Sequence, residues 1–588
     1  MVLPADRSAD SSELALAEWA VPDWRSATTF RAKVFAHRLR RRLADLVSSP
    51  RRWDKAERLA NATILGECRS ALWSDERPEE RAFQLGKVQN LRRATAALDG
   101  VLVPAGAILS FWRQIGRASR WRGYVAGRML KQGCLVPATG GGLCQLSNAI
   151  YEAALQAGCE IVERHAHSRI VPGSAAATGR DATVAWNYVD LRFRPQAIVQ
   201  IEARLSRDEL IIRFVGQRGT ASPVSGPENQ PRPSANARTC GTCGEVSCFR
   251  HEHQPAPAVL GRTAYLVDDN WPELQDYIAR EHQPEDILGL PIDGKRWRLP
   301  RYDWRVGTFA RTASASVQTL RRMIAIRRAP AQGAARRGAE LRGAERIAGR
   351  LARLLTPDVT KLCVAQSLLP YLWRDGHLGG REVEVLMTRL PLAELHARLD
   401  RAVAAHPERA TLGDFRAPLA LVAAEAEALA YASRIVTPHR EVARLFPGKA
   451  RILDWKVPSI PRVEPIKARR IAFPGPTVGR KGAHAVRDAA KTLGLEVIAL
   501  GSELEGPGFW NGIAMHKPAP DANWLAGVAA VVQPAIVEER PRHLLMAIAA
   551  GVPVIATAAC GLAAENGVTI VPADDAEALV AALRTVLG

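Results

Sequence analysis

The chain has 588 residues, of which 47% are hydrophobic, and its 80 Lys and Arg against 60 Asp and Glu give a net charge of +20. This length exceeds what one hydrophobic core serves, so a single-domain protein is excluded and several domains are expected. No helix-turn-helix or aromatic–basic RNA motif accompanies the excess of arginine, so we expect no nucleic-acid partner. Biased codon usage explains the charge, with phosphorylated substrates as the alternative.

The sequence contains no segment typical of a signal peptide or a membrane span. Residues 1–23 carry five acidic side chains and no apolar core. The longest uncharged run, residues 544–564, contains Gly551 and Pro553 and is interpreted as a helix, a turn and a strand. Nine cysteines without secretory context indicate reduced thiols. We therefore expect a cytoplasmic protein with no transmembrane span, for which peripheral membrane contact is allowed.

Composition and periodicity divide the chain into five segments. Strand-like alternation at 197–203 and 210–215 closes the first folded domain, and the Pro-, Ser- and Asn-rich stretch after it is typical of a linker. The predicted segments are a disordered tail at 1–30, a mixed α/β domain at 31–215, a linker with a Cys/His cluster at 216–257, and two further α/β segments at 258–455 and 456–588.

In the first domain, three glycines precede a helical pattern that carries a cysteine in its first turn. Gly140 to Gly142 permit a sharp turn, and apolar residues at helical spacing follow until Gly158. Cys144 is therefore predicted at a helix N-terminus. There the helix dipole and free N–H groups stabilise a thiolate, and the same amides are available to form an oxyanion hole.

Two histidines and an aspartate follow this helix. His165 and His167 are predicted on one face of a strand, and Asp181 comes after them. Cysteine, histidine and then aspartate is the order used by papain- and transglutaminase-like thiol enzymes, so these four residues are candidate catalytic groups. The alternatives are that Cys144 is a core residue, that the histidines bind a metal, or that Ser147 is the reactive group.

An ordered set of motifs runs through this domain. It includes Gln89-Asn-Leu-Arg92, Leu98-Asp-Gly100, Gly140-Gly-Gly-Leu-Cys-Gln145, Val162-Glu-Arg-His-Ala-His-Ser168, Gly179-Arg-Asp-Ala-Thr183 and Tyr188-Val-Asp-Leu-Arg-Phe193. With these motifs, residues 80–215 resemble the VanW family, named after an accessory protein of glycopeptide-resistance clusters. The resemblance implies a bacterial protein with a cell-envelope context, and it assigns no reaction.

A second cysteine cluster interrupts the linker. Cys240, Cys243, Cys248 and either His251 or His253 offer enough thiols and imidazoles for a tetrahedral zinc site. The two alternatives are iron–sulfur ligation and a linker with incidental cysteines. We expect a closed structural zinc site.

The last segment alternates strands and helices, which predicts a parallel sheet covered on both faces. The predicted strands are 470–473, 495–500, 528–532, 553–557 and 568–571, and the predicted helices are 484–493, 543–550 and 574–587. A glycine-rich loop after the first strand contains Gly475, Arg480 and Lys481, and such a loop lets phosphate approach backbone N–H groups.

The order of these features, with Glu538 after the third strand, resembles the C-terminal half of GT-B glycosyltransferases, which binds the nucleotide-sugar donor. The resemblance implies that Gly475, Arg480 and Lys481 meet phosphate and that Glu538 meets sugar or ribose. The partner carboxylate expected eight residues later is replaced by Met546. Residues 258–455 would form the other GT-B half, and a helical spacer is the alternative for that region.

The sequence thus predicts a multidomain α+β and α/β protein that joins a VanW-like domain to GT-B-like Rossmann halves. The leading hypothesis is transfer of sugar from a nucleotide-sugar donor to an envelope-precursor acceptor. One alternative is a non-catalytic binding protein with a pseudo-glycosyltransferase module. The other is a thiol-dependent enzyme that uses Cys144.

Overall fold

The computed structural model describes ten stretches of the chain, which are residues 24–48, 50–73, 78–131, 134–167, 180–217, 238–239, 261–463, 469–516, 523–565 and 567–588. The chain divides into two compact units, residues 1–260 with 378–381 and residues 261–377 with 382–588. The predicted zinc ligands Cys240, Cys243, Cys248 and His251, together with His253, lie outside the described residues. Within the described stretches, no three metal-ligating side chains are grouped closely enough to hold a metal ion.

The first unit is a mixed α/β structure built on short sheets whose strand pairs are antiparallel, except for the parallel pair of β10 and β5. Its helices are α1 Trp24–Ser48, α2 Pro78–Leu98, α3 Phe111–Ile115 and α4 Leu143–Gln156. Its strands are β1 Thr63–Ala71, β2 Val101–Val103, β3 Leu109–Ser110, β4 Ala126–Lys131, β5 Cys134–Thr139, β6 Glu160–Glu163, β7 Arg192–Arg194, β8 Val199–Leu205, β9 Glu209–Gly216 and β10 Arg238–Thr239. Helix α1 begins inside the segment predicted to be a disordered tail.

Three sheets share these strands, in the orders β1-β9-β8-β2, β10-β5-β4 and β3-β7-β6. Helix α4 packs on β1, β9 and α2. Its apolar face, with Leu146 and Ile150 fully buried, belongs to the core of this unit. Gly66 of β1 permits the close approach, because an added Cβ there would lie 2.3 Å from the carbonyl oxygen of Ala153.

A buried carboxylate ties α3 to β7. Asp190 accepts hydrogen bonds from Ser110 Oγ at 2.6 Å, from the N–H of Trp112 at 3.1 Å and from Arg192 Nε at 2.9 Å. Burial raises the pKa of the Asp190 carboxyl despite these donors. The network therefore fixes the start of α3 in the core.

The second unit contains two wholly parallel sheets covered by helices. Its strands are β11 Arg262–Leu266, β12 Ile287–Leu290, β13 Arg311–Ser314, β14 Val359–Ala365, β15 Glu382–Leu386, β16 Arg434–Thr437, β17 Ala450–Ile452, β18 Arg470–Phe473, β19 Glu496–Ala499, β20 Met515–His516, β21 Ala530–Gln533, β22 Val554–Ala556 and β23 Val568–Ile570. Its helices are α5 Pro272–Glu281, α6 Ser316–Arg328, α7 Ala334–Leu351, α8 Leu369–Arg374, α9 Leu392–Ala405, α10 Leu419–Tyr431, α11 Arg440–Arg444, α12 Ala483–Leu493, α13 Arg542–Ala550 and α14 Ala576–Leu587.

The strand orders are β13-β12-β11-β14-β15-β16-β17 and β20-β19-β18-β21-β22-β23. Strands β12 and β21 are buried along their whole length, as expected where helices cover both faces of a parallel sheet. Two Rossmann-like halves result, and the predicted fold class is confirmed. The alternative of a helical spacer at 258–455 is wrong, because seven parallel strands occupy that region.

The uncharged run at 544–564 folds as the sequence predicts. Helix α13 ends at Gly551, whose φ of 76° lies in the left-handed region, and β22 follows. Among the described residues, no helix is both long enough and apolar enough to cross a membrane.

Candidate active site

A glycine turn delivers Cys144 to the first turn of α4. Gly140 and Gly142 have φ values of +82° and +97°, which L side chains rarely adopt. Gly141 lies against β4, where an added Cβ would meet the carbonyl oxygen of Gly127 at 2.2 Å. The turn therefore requires glycine for conformation and for space, and Cys144, which follows it, is a partly buried residue with a free thiol.

His167 and Asp181 form a hydrogen-bonded pair beside this helix. Asp181 is fully buried, and its Oδ2 accepts a hydrogen bond from His167 Nδ1 at 2.7 Å and from the His167 backbone N–H at 2.8 Å. Its Oδ1 lies 3.0 Å from Arg164 Nη2. Because Asp181 occupies Nδ1, the Nε2 atom of His167 is the nitrogen available to another partner.

That partner is Cys144, because the imidazole of His167 lies close enough to the thiol for each group to shift the pKa of the other. The sulfur also lies 3.7 Å from Thr183 Oγ1 and 3.9 Å from the carbonyl oxygen of Val184. The structure thus groups Cys144 with the hydrogen-bonded pair of His167 and Asp181, in the arrangement that activates a nucleophile through an oriented base.

The pKa values of this pair favour a thiolate and an imidazolium. Burial raises the pKa of the Cys144 thiol, but the hydrogen bond and charge of His167 outweigh burial and bring it below its ordinary 9.0. Burial lowers the pKa of His167, whereas Asp181 and Cys144 raise it to about 9 from 6.5. The surroundings of Cys144 therefore favour the thiolate, which is the reactive form.

His165 does not join this site. Strand β6 ends at Glu163, so the predicted strand with both histidines on one face is wrong. The half-exposed ring of His165 contacts Glu163, with Nε2 at 3.1 Å from Oε1. Arg164, bound to Asp181, turns the chain between the two histidines. The geometry therefore favours His167 over His165 as the base.

Two further observations bear on the chemistry of α4. Ser147, the alternative nucleophile, is fully buried and donates to the carbonyl oxygens of Cys144 and Ala182. The N–H groups of Leu143 and Cys144, in the first turn, donate to no described residue. These two amides are therefore available to a developing oxyanion near the sulfur.

In the second unit, Glu538 and Lys481 form a buried ion pair, with Lys481 Nζ 2.9 Å from Oε2. The other oxygen of Glu538 accepts the backbone N–H groups of Glu539 at 2.8 Å and Arg540 at 2.7 Å. Burial raises the pKa of this carboxyl, but Lys481 and the amides lower it overall. Gln533 completes its hydrogen bonding. Glu538 therefore anchors the loops around it.

The other two residues of this loop that are predicted to meet phosphate, Arg480 and Gly475, have different surroundings. The Arg480 guanidinium lies over the ring of Phe415, 4.8 Å from its centroid. Gly475 has ordinary contacts, since an added Cβ would meet Lys481 Cβ at 3.4 Å. The glycine that the loop requires is Gly482, with φ +83° and Pro534 O 2.2 Å from an added Cβ. The structure thus assigns the steric role to Gly482 and leaves Gly475 without one.

A cavity of about 240 Å³ opens within the second unit. Its charged lining consists of Asp268, Asp269, Arg301, Arg322, Arg337, Glu340, Arg389 and Glu539. The sequence analysis identified none of these side chains as a site, because they come from distant parts of the chain and only the fold groups them. Glu539 is adjacent to the predicted Glu538, and the Oε1 atom of Glu539 is buried with no hydrogen-bond partner among the described residues.

Two family models match separate parts of the chain. Residues 86–215 match the VanW like protein family, and residues 495–588 match the Glycosyl transferases group 1 family. The chain therefore joins a VanW-like domain to a glycosyltransferase-like module, and the resemblances identified from the sequence are confirmed.

Curated relatives match the first of these regions. The chain is 36% identical over 118 residues to the uncharacterized protein YoaR of Bacillus subtilis, which covers 20% of this chain and 38% of YoaR. It is 32% identical over 136 residues to the vancomycin B-type resistance protein VanW of Enterococcus faecalis, which covers 22% of this chain and 49% of that protein. The chain thus spans less than half the length of these relatives.

Solved structures match more of the chain at low identity. The lipopolysaccharide outer core galactosyltransferase WaaB is 12% identical, with 55% of this chain and 90% of WaaB covered and a TM-score of 0.32. Anabaena HepE in complex with UDP and glucose is 16% identical, with 55% of this chain and 89% of HepE covered and a TM-score of 0.33.

Proposed function

We propose that the VanW-like domain is a thiol-dependent enzyme that cleaves or transfers acyl groups through Cys144. The observation that carries this proposal is the grouping of Cys144 with His167, whose Nδ1 is hydrogen-bonded to the buried Asp181. The thiolate attacks a carbonyl carbon, and a C–S bond forms. The imidazolium of His167 gives its proton to the departing nitrogen or oxygen as the acyl bond breaks.

A thioester on Cys144 and the protonated leaving group result from this half-reaction. Water or an acceptor nucleophile then attacks the thioester, His167 takes the proton of that nucleophile, and the thiolate is released. The first-turn amides of Leu143 and Cys144 bind the oxyanion of both tetrahedral intermediates. Each step uses groups that the first unit supplies.

Acylation by p-nitrophenyl acetate tests this function. We expect the full chain to release p-nitrophenol in a burst and to carry one acetyl group on Cys144, located by peptide mass spectrometry. The variant His167→Ala should lose the burst, and His165→Ala, a control two residues away, should keep it. Equal acetylation of Cys144 in both variants would refute the role of His167.

We also propose that the second unit transfers sugar from a nucleotide-sugar donor to an acceptor in cell-envelope biogenesis. The match of residues 495–588 to group 1 glycosyltransferases supports this proposal, as do the two parallel sheets and their cavity. The similarity of the first unit to a vancomycin resistance protein supports the envelope context. The cytoplasmic location stays a prediction from the sequence.

One observation favours the alternative of a pseudoenzyme. Both oxygens of Glu538 are already engaged by Lys481, Gln533 and two backbone amides, and Met546 replaces the second carboxylate. A donor that binds without turnover would therefore fit this module.

Calorimetry with UDP- and GDP-sugars, combined with an assay of donor hydrolysis, separates the two functions. Binding with hydrolysis supports a transferase, and binding without hydrolysis supports the pseudoenzyme. The variant Lys481→Ala should weaken binding, whereas Lys491→Ala, on the exposed face of α12, should not. The absence of binding at millimolar donor would contradict both functions.

A further inference from the structure

Four arginines and four carboxylates line the cavity of the second unit. Two of the arginines are matched. Arg322 forms a bidentate pair with Asp268 at 2.7 and 3.1 Å, and Arg301 lies 2.7 Å from Asp269. These pairs satisfy each other, so they explain the shape of the cavity wall and leave no charge for a ligand. The other two arginines, Arg337 and Arg389, are not matched in this way.

Arg337, on α7, is buried with donors unused. Its side chain is only 6% exposed, and its single ion pair is Nη1 to Glu340 at 3.3 Å. Its Nε and Nη2 atoms have no hydrogen-bond partner among the described residues. Leaving buried N–H donors of a charged group unpaired costs free energy. A ligand with acceptor oxygens in the cavity would remove this cost.

Arg389, which follows β15, places a second guanidinium beside the first. It forms no ion pair with any carboxylate of the described residues. Burial lowers the pKa of Arg337, and the charge of Arg389 lowers it further. Among the neighbouring charged groups, the Glu539 carboxylate raises the pKa of Arg389 most, but it forms no ion pair with Arg389. Two like charges with spare donors at one cavity are the arrangement that binds a phosphate or a carboxylate.

Both guanidiniums belong to the first Rossmann-like half, at α7 and after β15. The groups predicted to meet the donor, Arg480 and Lys481, belong to the second half. The ring of Phe415 contacts one member of each set, with Arg337 at 4.4 Å and Arg480 at 4.8 Å from its centroid. The unmatched charge therefore comes from the half that does not carry the predicted donor loop.

We propose that Arg337 and Arg389 bind the anionic group, a phosphate or a carboxylate, of the acceptor that receives the sugar. This proposal rests on the proposed glycosyl transfer. The buried Oε1 of Glu539, which has no partner among the described residues, supplies an acceptor for a hydroxyl of the same molecule. The substrate class is an anionic acceptor, and a neutral sugar would leave both guanidiniums unpaired.

Calorimetry on the full chain with inorganic phosphate, acetate and glucose as probes tests the site. We expect phosphate or acetate to bind and glucose to bind at least tenfold more weakly. The probe that binds more tightly identifies the anion. The variants Arg389→Gln and Arg337→Gln should each weaken anion binding at least tenfold, and Arg337→Lys should weaken it less.

Exposed Arg321, on α6, provides the control Arg321→Gln, which should bind as the unmodified chain does. UDP binding is measured in the same variants, and we expect less than a twofold change. Unchanged anion binding in both glutamine variants would overturn the proposal. A parallel loss of UDP binding would assign the arginines to the donor and overturn it as well. A chain that binds phosphate but no UDP would refute the transferase and leave the anion site standing.

Discussion

Substitution of Asp181 by Asn isolates the part that the buried carboxylate plays in ionising Cys144. Asp181 accepts the Nδ1–H of His167 at 2.7 Å and helps to raise the pKa of that imidazole from 6.5 to about 9. This difference corresponds to about 3 kcal/mol in favour of the imidazolium. Asp181 and Cys144 both contribute to this free energy. We assign half of it, about 1.5 kcal/mol, to Asp181, and this amount corresponds to about a tenfold change in the protonation equilibrium of His167.

The raised pKa of His167 determines whether Cys144 becomes more or less reactive in this variant. Because the pKa of His167 is raised, the imidazolium is favoured below about pH 9. In Asp181→Asn this pKa falls toward 6.5, so the imidazolium is less favoured and Cys144 loses part of the positive charge that offsets its burial. We therefore expect iodoacetamide to alkylate Cys144 about tenfold more slowly at pH 7.5.

Peptide mass spectrometry of the alkylated chain gives the rate at Cys144 alone. His165→Ala serves as the matched control, because that ring contacts Glu163 and not the thiol. A thermal melt of each variant verifies that the fold persists. Equal alkylation rates for Asp181→Asn and the unmodified chain, from pH 5 to pH 9, would refute the argument that this carboxylate maintains the ion pair.

Three further predictions concern the rest of the chain. Lys481→Ala leaves the buried Glu538 carboxylate without its counter-ion, so we expect about 3 kcal/mol less stability in urea unfolding, with no change in Lys491→Ala. Met546→Glu supplies the carboxylate that the GT-B resemblance leads one to expect, so calorimetry should detect tighter binding of a nucleotide sugar, and equal or weaker binding would count against that pairing. Asp190→Ala removes the acceptor of four donors in the core, and its unfolding free energy should fall by about 3 kcal/mol, whereas a loss below about 0.5 kcal/mol would contradict the role assigned to that network.

Local signals explain why much of this architecture is visible in the sequence. The glycines at 140–142 mark the turn, the apolar spacing marks α4, and together they predict Cys144 in its first turn. In the second unit, β18 runs from Arg470 to Phe473, the same bounds that alternation and turns indicate. Such features depend on neighbours a few residues apart, which the sequence contains in full.

The choice between the two histidines depends on tertiary contacts. His165 and His167 are separated by two positions, so a strand would present them together. The strand instead ends at Glu163, because Arg164 turns toward the buried Asp181 seventeen positions later. The long-range ion pair of Arg164 and Asp181 therefore determines which histidine lies near the thiol. The periodicity of the sequence does not reveal such a pair.

The cavity of the second unit has the same origin. Arg337, Arg389 and Glu539 come from three distant parts of the chain, and the fold of the second unit brings them to one cavity. The glycine-rich loop predicts a phosphate-binding site, but its two basic residues have different partners. Lys481 pairs with Glu538, and Arg480 lies over the ring of Phe415. A motif predicts residue types at a loop, whereas the partners of those residues are set by the fold.

The pH dependence of alkylation at Cys144 in the unmodified chain tests the central claim most directly. We predict that the rate at this sulfur rises with an apparent pKa below that of free cysteine, about 8.5, and that His167→Ala moves this pKa upward. A Cys144 that titrates at or above the free value, and does so equally without His167, would contradict a thiolate held ready by its imidazole.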